Sequence, residues 1–369
     1  MNDVVITGYG LVTPFGMGVD PFWHGLLAGD RALGPAQRFR HAEEPVGEIR
    51  TPTPSDKPRK QAFTEAAIAE AVRDAGLARI PDDALVVLVG QAPWCDGGKE
   101  SDPDWSEFVG PVSVADIASS RAVYLTHACA SAAFGVAFAR SAIQAGIVDT
   151  AVVAGASVLN RYEYASMRVV KAISPHPARP FDRDRSGISL GEGAGALIIE
   201  RREHAHARGA RDDLAVLGAA CQVVAASSAA SDEAAITECL RAAIADARVD
   251  RLDYVHAHAT GTPQGDAVEL AALETLAADL DLTGLPVGSH KGAIGHLLHA
   301  SALPAIVAAA LVLRTGVVPP TAGLANPEPC RRLHLGPARL ASAATTVAAV
   351  TSFGFGGNSC TLVLGRVAS

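Results

Sequence analysis

The chain has 369 residues, room for two or three domains at ~100–200 residues each or for one large duplicated fold. Apolar residues make up 49% and charged residues 19%, which excludes wholesale disorder. Lys plus Arg total 31 against 39 Asp plus Glu; the formal charge of −8 argues against a general nucleic-acid binder, which needs a broad positive footprint. No stretch reaches the ~18 strongly apolar residues of a membrane span; the best, 300–313, has the length of a buried helix and carries Pro304. The opening MNDVVITGYG lacks a basic region followed by an apolar run, so no signal peptide is expected. Six cysteines, at 95, 129, 221, 239, 330 and 360, form no CxxC pair and fit neither a zinc site nor a small disulfide scaffold. A cytoplasmic protein with mostly structural thiols is expected.

Along the chain, VVITGYG (4–10), ALVVLVG (84–90), TAVVAGAS (150–157), GALIIE (195–200), AVLGAA (215–220), ATTVAAVTSFG (344–354) and CTLVLG (360–365) are short, β-branched, mostly glycine-bounded runs. They predict strands buried on both faces. Helical spacing predicts helices over 60–76, 131–146, 231–247 and 267–280. Alternating strands and helices predict an α/β protein with mainly parallel sheets. The stretches 45–58 and 91–110 read as loops, and the charged segment 201–213 separates two halves of comparable length. There is no short-period repeat.

Four segments carry chemistry-bearing residues. In YLTHACASAAFG (124–135) an apolar strand runs into Cys129 and a helix of small residues follows. A thiol there faces unpaired N–H groups and the positive end of the helix dipole, which favours thiolate and offers part of an oxyanion hole. Cysteine is equally a common buried small hydrophobe. In YVHAHATGTPQGDAVEL (254–270), His256 and His258 point to opposite faces if the strand persists, and Asp266 opens a helix. GSHKGAIGHLLHASALP (288–304) holds His290, Lys291, His296 and His299. A histidine at a helix start stays neutral and proton-accepting; no carboxylate or thiolate completes a metal-ligand pattern here. In TSFGFGGNSC (351–360), alternating Phe and Gly gives either a mobile gate or a tight bend between strands. Together, a reactive thiol, two histidines and a glycine-hinged aromatic loop describe thioester chemistry.

With these blocks in this order, the sequence resembles the β-ketoacyl synthases of the thiolase-like superfamily, and among them the elongating ketosynthases of type II fatty-acid and polyketide synthesis. The resemblance runs from VVITGYGLVTPFG to SFGFGGNSCTLVLG, and RPFDRDRSGISLGEGAGALIIERREHAHARGA (179–210) is itself a highly specific family stretch. It implies a duplicated α-β-α-β-α layered fold with mostly parallel five-stranded sheets. Residues 1–210 would form the half with the nucleophilic cysteine, and 211–369 the half with the two catalytic histidines and gating loop. Carried over by position, Cys129 is the acyl acceptor, and His258 and His296 assist decarboxylation and condensation. His256 falls at a non-catalytic position, and Lys291 is a supporting lysine. Thr260 and Thr262 bind the phosphopantetheine arm, and Met167 and Phe353 contact substrate. Phe355 is the gate, its N–H joining that of Cys129 in the oxyanion hole.

The same resemblance implies an acyltransferase that needs no metal or organic cofactor, since the phosphopantetheine belongs to the partner. The partners implied are an acyl carrier protein and acyl and malonyl-type thioesters. A homodimer, or a heterodimer with a chain-length-factor-like subunit, is implied; nucleic acid and membrane are not. Lys57, Arg59, Lys60 and Lys171 match carrier-docking positions; three of the chain's five lysines fall in this set. The chain departs from the family pattern in its supporting residues. It is shorter than the family norm, mostly before Cys129, with only 38 residues between Gly90 and Cys129. Ala259 replaces a glycine, Ala305 a glutamate, Met167 an aromatic residue, and Asn358 stands where a Thr-Asn pair is usual. These departures leave two alternatives: acyl transfer to an amine, alcohol or water without elongation, and a non-catalytic partner subunit. Intact Cys129, His258 and His296 argue against the second.

Overall fold

The computed structural model describes residues 3–51, 58–90, 122–224, 232–336, 338–341 and 345–367. The first half runs β1 (Val4–Thr13), β2 (Gly16–Met17), α1 (Val19–Ala28), α2 (Arg59–Asp74), β3 (Leu85–Val89), β4 (Ala122–Leu125), α3 (Ser131–Gln144), β5 (Thr150–Ser157), α4 (Arg161–Val169), β6 (Gly193–Arg201) and α5 (Arg202–Ala207). The second runs β7 (Leu214–Val223), α6 (Glu233–Ala247), β8 (Tyr254–His256), α7 (Pro263–Asp279), β9 (Leu285–Gly288), α8 (Lys291–Ile294), α9 (Ala302–Thr315), β10 (Val317–Val318), β11 (Leu333–Leu335), β12 (Leu340–Ala341), β13 (Val347–Gly354) and β14 (Asn358–Arg366).

The seven apolar runs all fall on strands. The four helical patterns form α2, α3, α6 and α7, with ends shifted by a few residues. The loop expected at 91–110, with Cys95, lies outside the described residues. Helix α4 gave no apolar signal because only Glu163 and Tyr164 of it are buried.

The strands follow the order β4-β3-β5-β6-β1 in the first half and β7-β14-β13-β8-β9-β11 in the second, and a β1–β7 pairing, Val5 with Ala215, joins the two. The expected parallel character is confined to the outer strands. β3 pairs in parallel with β4 and β5, and β8 with β9 and β13, whereas β1–β6, β5–β6, β7–β14 and β13–β14 are antiparallel. The β13–β14 pair is antiparallel because a tight turn joins the two strands, which antiparallel strands permit and parallel ones do not.

Five layers result. Helices α3 and α9 lie between the two half-sheets; α2 covers the outer face of the first, and α6 and α7 that of the second. The strands alternate accordingly. In β5, Ala151 and Val153 join the central core, and Val152 and Ala154 the outer core under α2. The close α2–β1 contact requires glycine: a Cβ at Gly8 would lie 2.2 Å from the Ala71 carbonyl, and one at Gly10 2.2 Å from that of Ala67. The segment Leu298–Thr315 is long and apolar enough to cross a membrane by length and composition, but 83% of it is buried inside the protein. Its apolarity is that of a helix packed between two sheets.

Candidate active site

The cysteine sits on a tight elbow between β4 and α3. Ala128 takes a left-handed conformation with φ 47°, unusual for a residue with a Cβ. The turn is closed by Ala130 N–H donating to His127 O at 3.0 Å. The Ser131 hydroxyl accepts from His127 N–H at 2.7 Å and donates to Ala128 O at 2.6 Å. Ser131, Ala132 and Ala133 are wholly buried, so only small residues fit at this start of α3.

Burial outweighs the helix start, which does pull the Cys129 thiol down through a backbone hydrogen bond, as expected of that position. Enclosure by protein pushes the Cys129 thiol up to about 12; the nearby Lys291 charge pulls it down, and the Glu163 carboxylate adds to the rise. Desolvation of a thiolate outweighs what the helix N–H groups return.

The β13–β14 turn packs directly on this elbow. A Cβ on Gly354 would lie 2.9 Å from Cys129 N and 3.0 Å from His127 O, so glycine is required there. Ser352 Oγ donates to Cys129 O at 3.2 Å. Phe355, 39% exposed, tops the turn, followed by Gly356 and Gly357 at φ 77° and 74°. The Gly-Phe segment is therefore a tight bend between strands and also a cover beside the sulfur.

The histidines stand on loops clamped by buried carboxylates. Strand β8 ends at His256, and the chain turns before His258. Glu269, on α7, accepts from the N–H groups of His258 (2.8 Å) and Ala259 (2.7 Å) and from the Thr351 hydroxyl (2.6 Å). Asp266 accepts from the N–H groups of Thr260 (2.9 Å), Gly261 (3.1 Å) and Phe181 (2.8 Å).

Each ring has its Nδ1 occupied. Phe353 N–H donates to His258 Nδ1 at 3.3 Å. The Ser301 hydroxyl accepts from Leu297 N–H at 3.0 Å, and donating to His296 Nδ1 at 2.8 Å gives its own buried proton a partner. Both rings are thereby set to carry their proton on Nε2. The ring centroids are 5.4 Å apart and nearly perpendicular. Burial, then the Lys291 charge, holds both well below the usual imidazole value, so they stay neutral.

Lys291 is buried, and burial pulls its ammonium down to about 8. The ammonium donates to the His258 carbonyl. Glu269 attracts Lys291 electrostatically, but its oxygens serve the His258 loop; burial raises it to about 7. His256 points elsewhere: its ring bridges Tyr254 Oη and His290 Nδ1, each at 2.9 Å, and burial drives it down to about 3.

One cavity of about 100 Å³ joins Cys129, His258 and His296, so residues far apart in sequence converge as expected. Thr260 and Thr262, whose hydroxyls are 3.2 Å apart, line it with Met167, Phe353 and Phe355, while Lys291 lies behind the lining, bonded to the His258 carbonyl. Lys57 lies outside the described residues. Arg59 and Lys60 are removed from the docking set by burial, each at 7% exposure. They sit where α2 meets the sheet, and Arg59 pairs with Glu192 at 2.9 Å and donates to Ile49 O at 3.1 Å. Lys171 is exposed and adjoins Ala172 of the cavity wall. Sequence reasoning missed Ser301 and Thr351. A serine five residues after His296 was the available signal for the first; Thr351 gave none beyond its place in a strand.

Fold and cavity together define a thiolase-like ketosynthase. The chain matches the N-terminal domain model of the β-ketoacyl synthases over residues 1–94 and 110–205 and the C-terminal domain model over 215–325. It is 31% identical over 423 aligned positions to 3-oxoacyl-[acyl-carrier-protein] synthase 2 of Rhizobium meliloti (strain 1021), covering 99% of both chains. It is 31% identical to an oxytetracycline polyketide putative β-ketoacyl synthase of Streptomyces rimosus, covering 98% of this chain and 96% of that one. Among solved structures it superposes on the ishigamide ketosynthase/chain length factor with TM-score 0.83 at 27% identity, covering 100% of both chains. The chain belongs to the β-ketoacyl synthase family of acyltransferases.

Proposed function

We propose that this chain is an elongating ketosynthase of a specialised polyketide or fatty-acid-like pathway, with Cys129 as nucleophile and His258 and His296 as paired hydrogen-bond donors. The observation that carries the reading is the shared cavity: one sulfur faces two neutral rings whose Nδ1 atoms are both engaged. In the first step Cys129 Sγ attacks the thioester carbonyl of an acyl-carrier; the S–C bond forms, and the carrier sulfur leaves with the thiol proton. The tetrahedral oxyanion meets the N–H groups of Cys129 and Phe355. In the second step a malonyl-type thioester loses carbon dioxide, and the bonding pair becomes an enolate stabilised by the two Nε2–H donors. In the third the enolate carbon attacks acyl-Cys129, and Cys129 sulfur departs and regains a proton.

These steps draw on protein groups alone. Thr260 and Thr262 hold the phosphopantetheine arm brought by an acyl carrier protein, and among the described residues of the expected docking set Lys171 is the exposed cation. The likeness to the ishigamide ketosynthase/chain length factor supports a dimeric assembly here, with an identical or a chain-length-factor-like partner. A cytoplasmic location belongs to the same reading. Incubation with an acyl-carrier should add one acyl mass at Cys129, and none in Cys129→Ala; loading that persists in that variant rejects the assignment.

A second reading, acyl transfer without elongation, draws on Ala305 and on the Lys291 ammonium, which donates to a carbonyl rather than to a carboxylate. Product mass with a malonyl carrier separates the two: release of the acyl group without carbon dioxide favours the second.

A further inference from the structure

His127 and Asn358 are not used by the steps above, yet they join the two segments that flank the sulfur. His127 lies two residues before Cys129; Asn358 ends the turn that carries Phe355. The Asn358 amide donates through Nδ2 to Phe355 O at 2.7 Å, which leaves its Oδ1 as acceptor. His127 Nδ1 lies 3.0 Å from that Oδ1 and therefore carries the proton. The imidazole is stacked on Phe134 of α3, centroids 4.0 Å apart and planes 12° from parallel, so the donor is held in place by its own ring contact. On its other side the turn is tied to the end of β7, where Val224, the residue after the strand, donates its N–H to Gly357 O at 3.1 Å.

Phe355 and Cys129 line the same cavity of about 100 Å³, well below the ~300–1,000 Å³ of a typical ligand pocket. Phe355 is part of the wall around the sulfur and is partly exposed, so movement of its turn changes access to Cys129. The two glycines at positive φ place the bend in this turn, between the Asn358 and Gly354 anchors.

We propose that the His127–Asn358 hydrogen bond is a latch: it sets how often the Phe355 turn stands open, and His127 is a positioning residue that couples this turn to the cysteine elbow. The proposal rests on the ketosynthase reading only for its purpose, since opening is measurable without turnover.

The test is the rate at which N-phenylmaleimide labels Cys129, followed on the Cys129 peptide by mass spectrometry so that exposed Cys221 does not contribute. His127→Phe keeps a ring against Phe134 and removes the donor; Asn358→Ala removes the acceptor; His127→Asn restores an amide donor at the position of Nδ1. Losing one net hydrogen bond should raise the open population, and hence labelling, roughly five-fold in His127→Phe, and by more in Asn358→Ala, which also loses the Nδ2 bond to Phe355 O. His127→Asn should return to the wild-type rate. Wild-type labelling in folded His127→Phe, or a His127→Asn rate equal to that of His127→Phe, overturns the latch. If His127→Phe fails to fold, Asn358→Asp, which keeps the acceptor, is compared with Asn358→Ala. Equal rates in these two overturn the proposal, and slower labelling in Asn358→Asp supports it. Wild-type Cys129 that no maleimide reaches on any timescale would count against the nucleophile assignment itself, a separate failure.

Discussion

The two halves of the molecule bring their reacting atoms to one cavity by different physical means. In the first half the sulfur is placed by backbone: a left-handed Ala128, a serine-closed turn and a helix start of wholly buried small residues. In the second half the two rings are placed by buried polar groups: Glu269 and Asp266 gather the N–H groups of the 258–261 loop, and Ser301 fixes the His296 ring. Backbone placement is stiff and carries no charge. Placement by buried carboxylates fixes a loop equally well, but it leaves groups whose protonation depends on pH. The second half should therefore be the more fragile to single polar substitutions and the more sensitive to pH.

Glu269→Gln should give the largest effect. One amide oxygen cannot accept what two carboxylate oxygens accept now, and buried N–H groups left unmade cost about 1–3 kcal/mol each. A loss of roughly 2–4 kcal/mol in urea unfolding is expected, with condensation nearly abolished. Ser301→Ala should leave the fold and Cys129 loading intact. It frees His296 Nδ1 and lets the ring present the wrong tautomer, so decarboxylation should fall by about ten- to a hundred-fold while acyl loading is unchanged. Equal loss of both steps would contradict the assigned role.

The pH dependence of stability has a definite sign. Glu269 sits at about 7 in the native state against an ordinary 4.5, so between those values the native state binds more protons and stability falls as pH rises. Lys291 sits at about 8 against 10.5, so between those values the unfolded state binds more protons and stability rises with pH. Below about pH 6.5 the depressed His256, His258, His290 and His296 act in the opposite sense to Glu269, since there the unfolded state binds the extra protons. The two groups are therefore read by difference: the urea-midpoint gap between wild type and Glu269→Gln should change between about pH 4.5 and 7, and that between wild type and Lys291→Met between about pH 8 and 10.5; gaps that stay constant with pH would contradict the assigned burial effect. The smallest effect is at the rim. Lys171→Glu should raise KM for the carrier a few-fold, more at low salt, with loading from a small-molecule thioester unchanged.

The outer and central cores were readable because alternating runs such as Ala151–Ala154 report which side of each strand is covered. Cys129, His258 and His296 were readable because each sits in a distinctive local block. What escaped depends on contacts far along the chain. Arg59 looks like a surface charge at a helix start until Glu192, 133 residues later, is seen to pair with it. Around Cys129 the local sequence reports the helix start but not the burial beneath the β13–β14 turn, which raises the thiol, nor the opposing influences of Lys291 and Glu163. The antiparallel β13–β14 pair followed from a hairpin whose turn also serves the site.

The most direct test of the whole account is single-turnover mass spectrometry of acyl-loaded enzyme mixed with a malonyl-carrier. Wild type should discharge the Cys129 adduct onto a product longer by two carbons, with one carbon dioxide released per adduct. His258→Ala and His296→Ala should load normally yet hold the adduct without releasing carbon dioxide. Discharge at the wild-type rate in either histidine variant, or discharge without extension in the wild type, would contradict it.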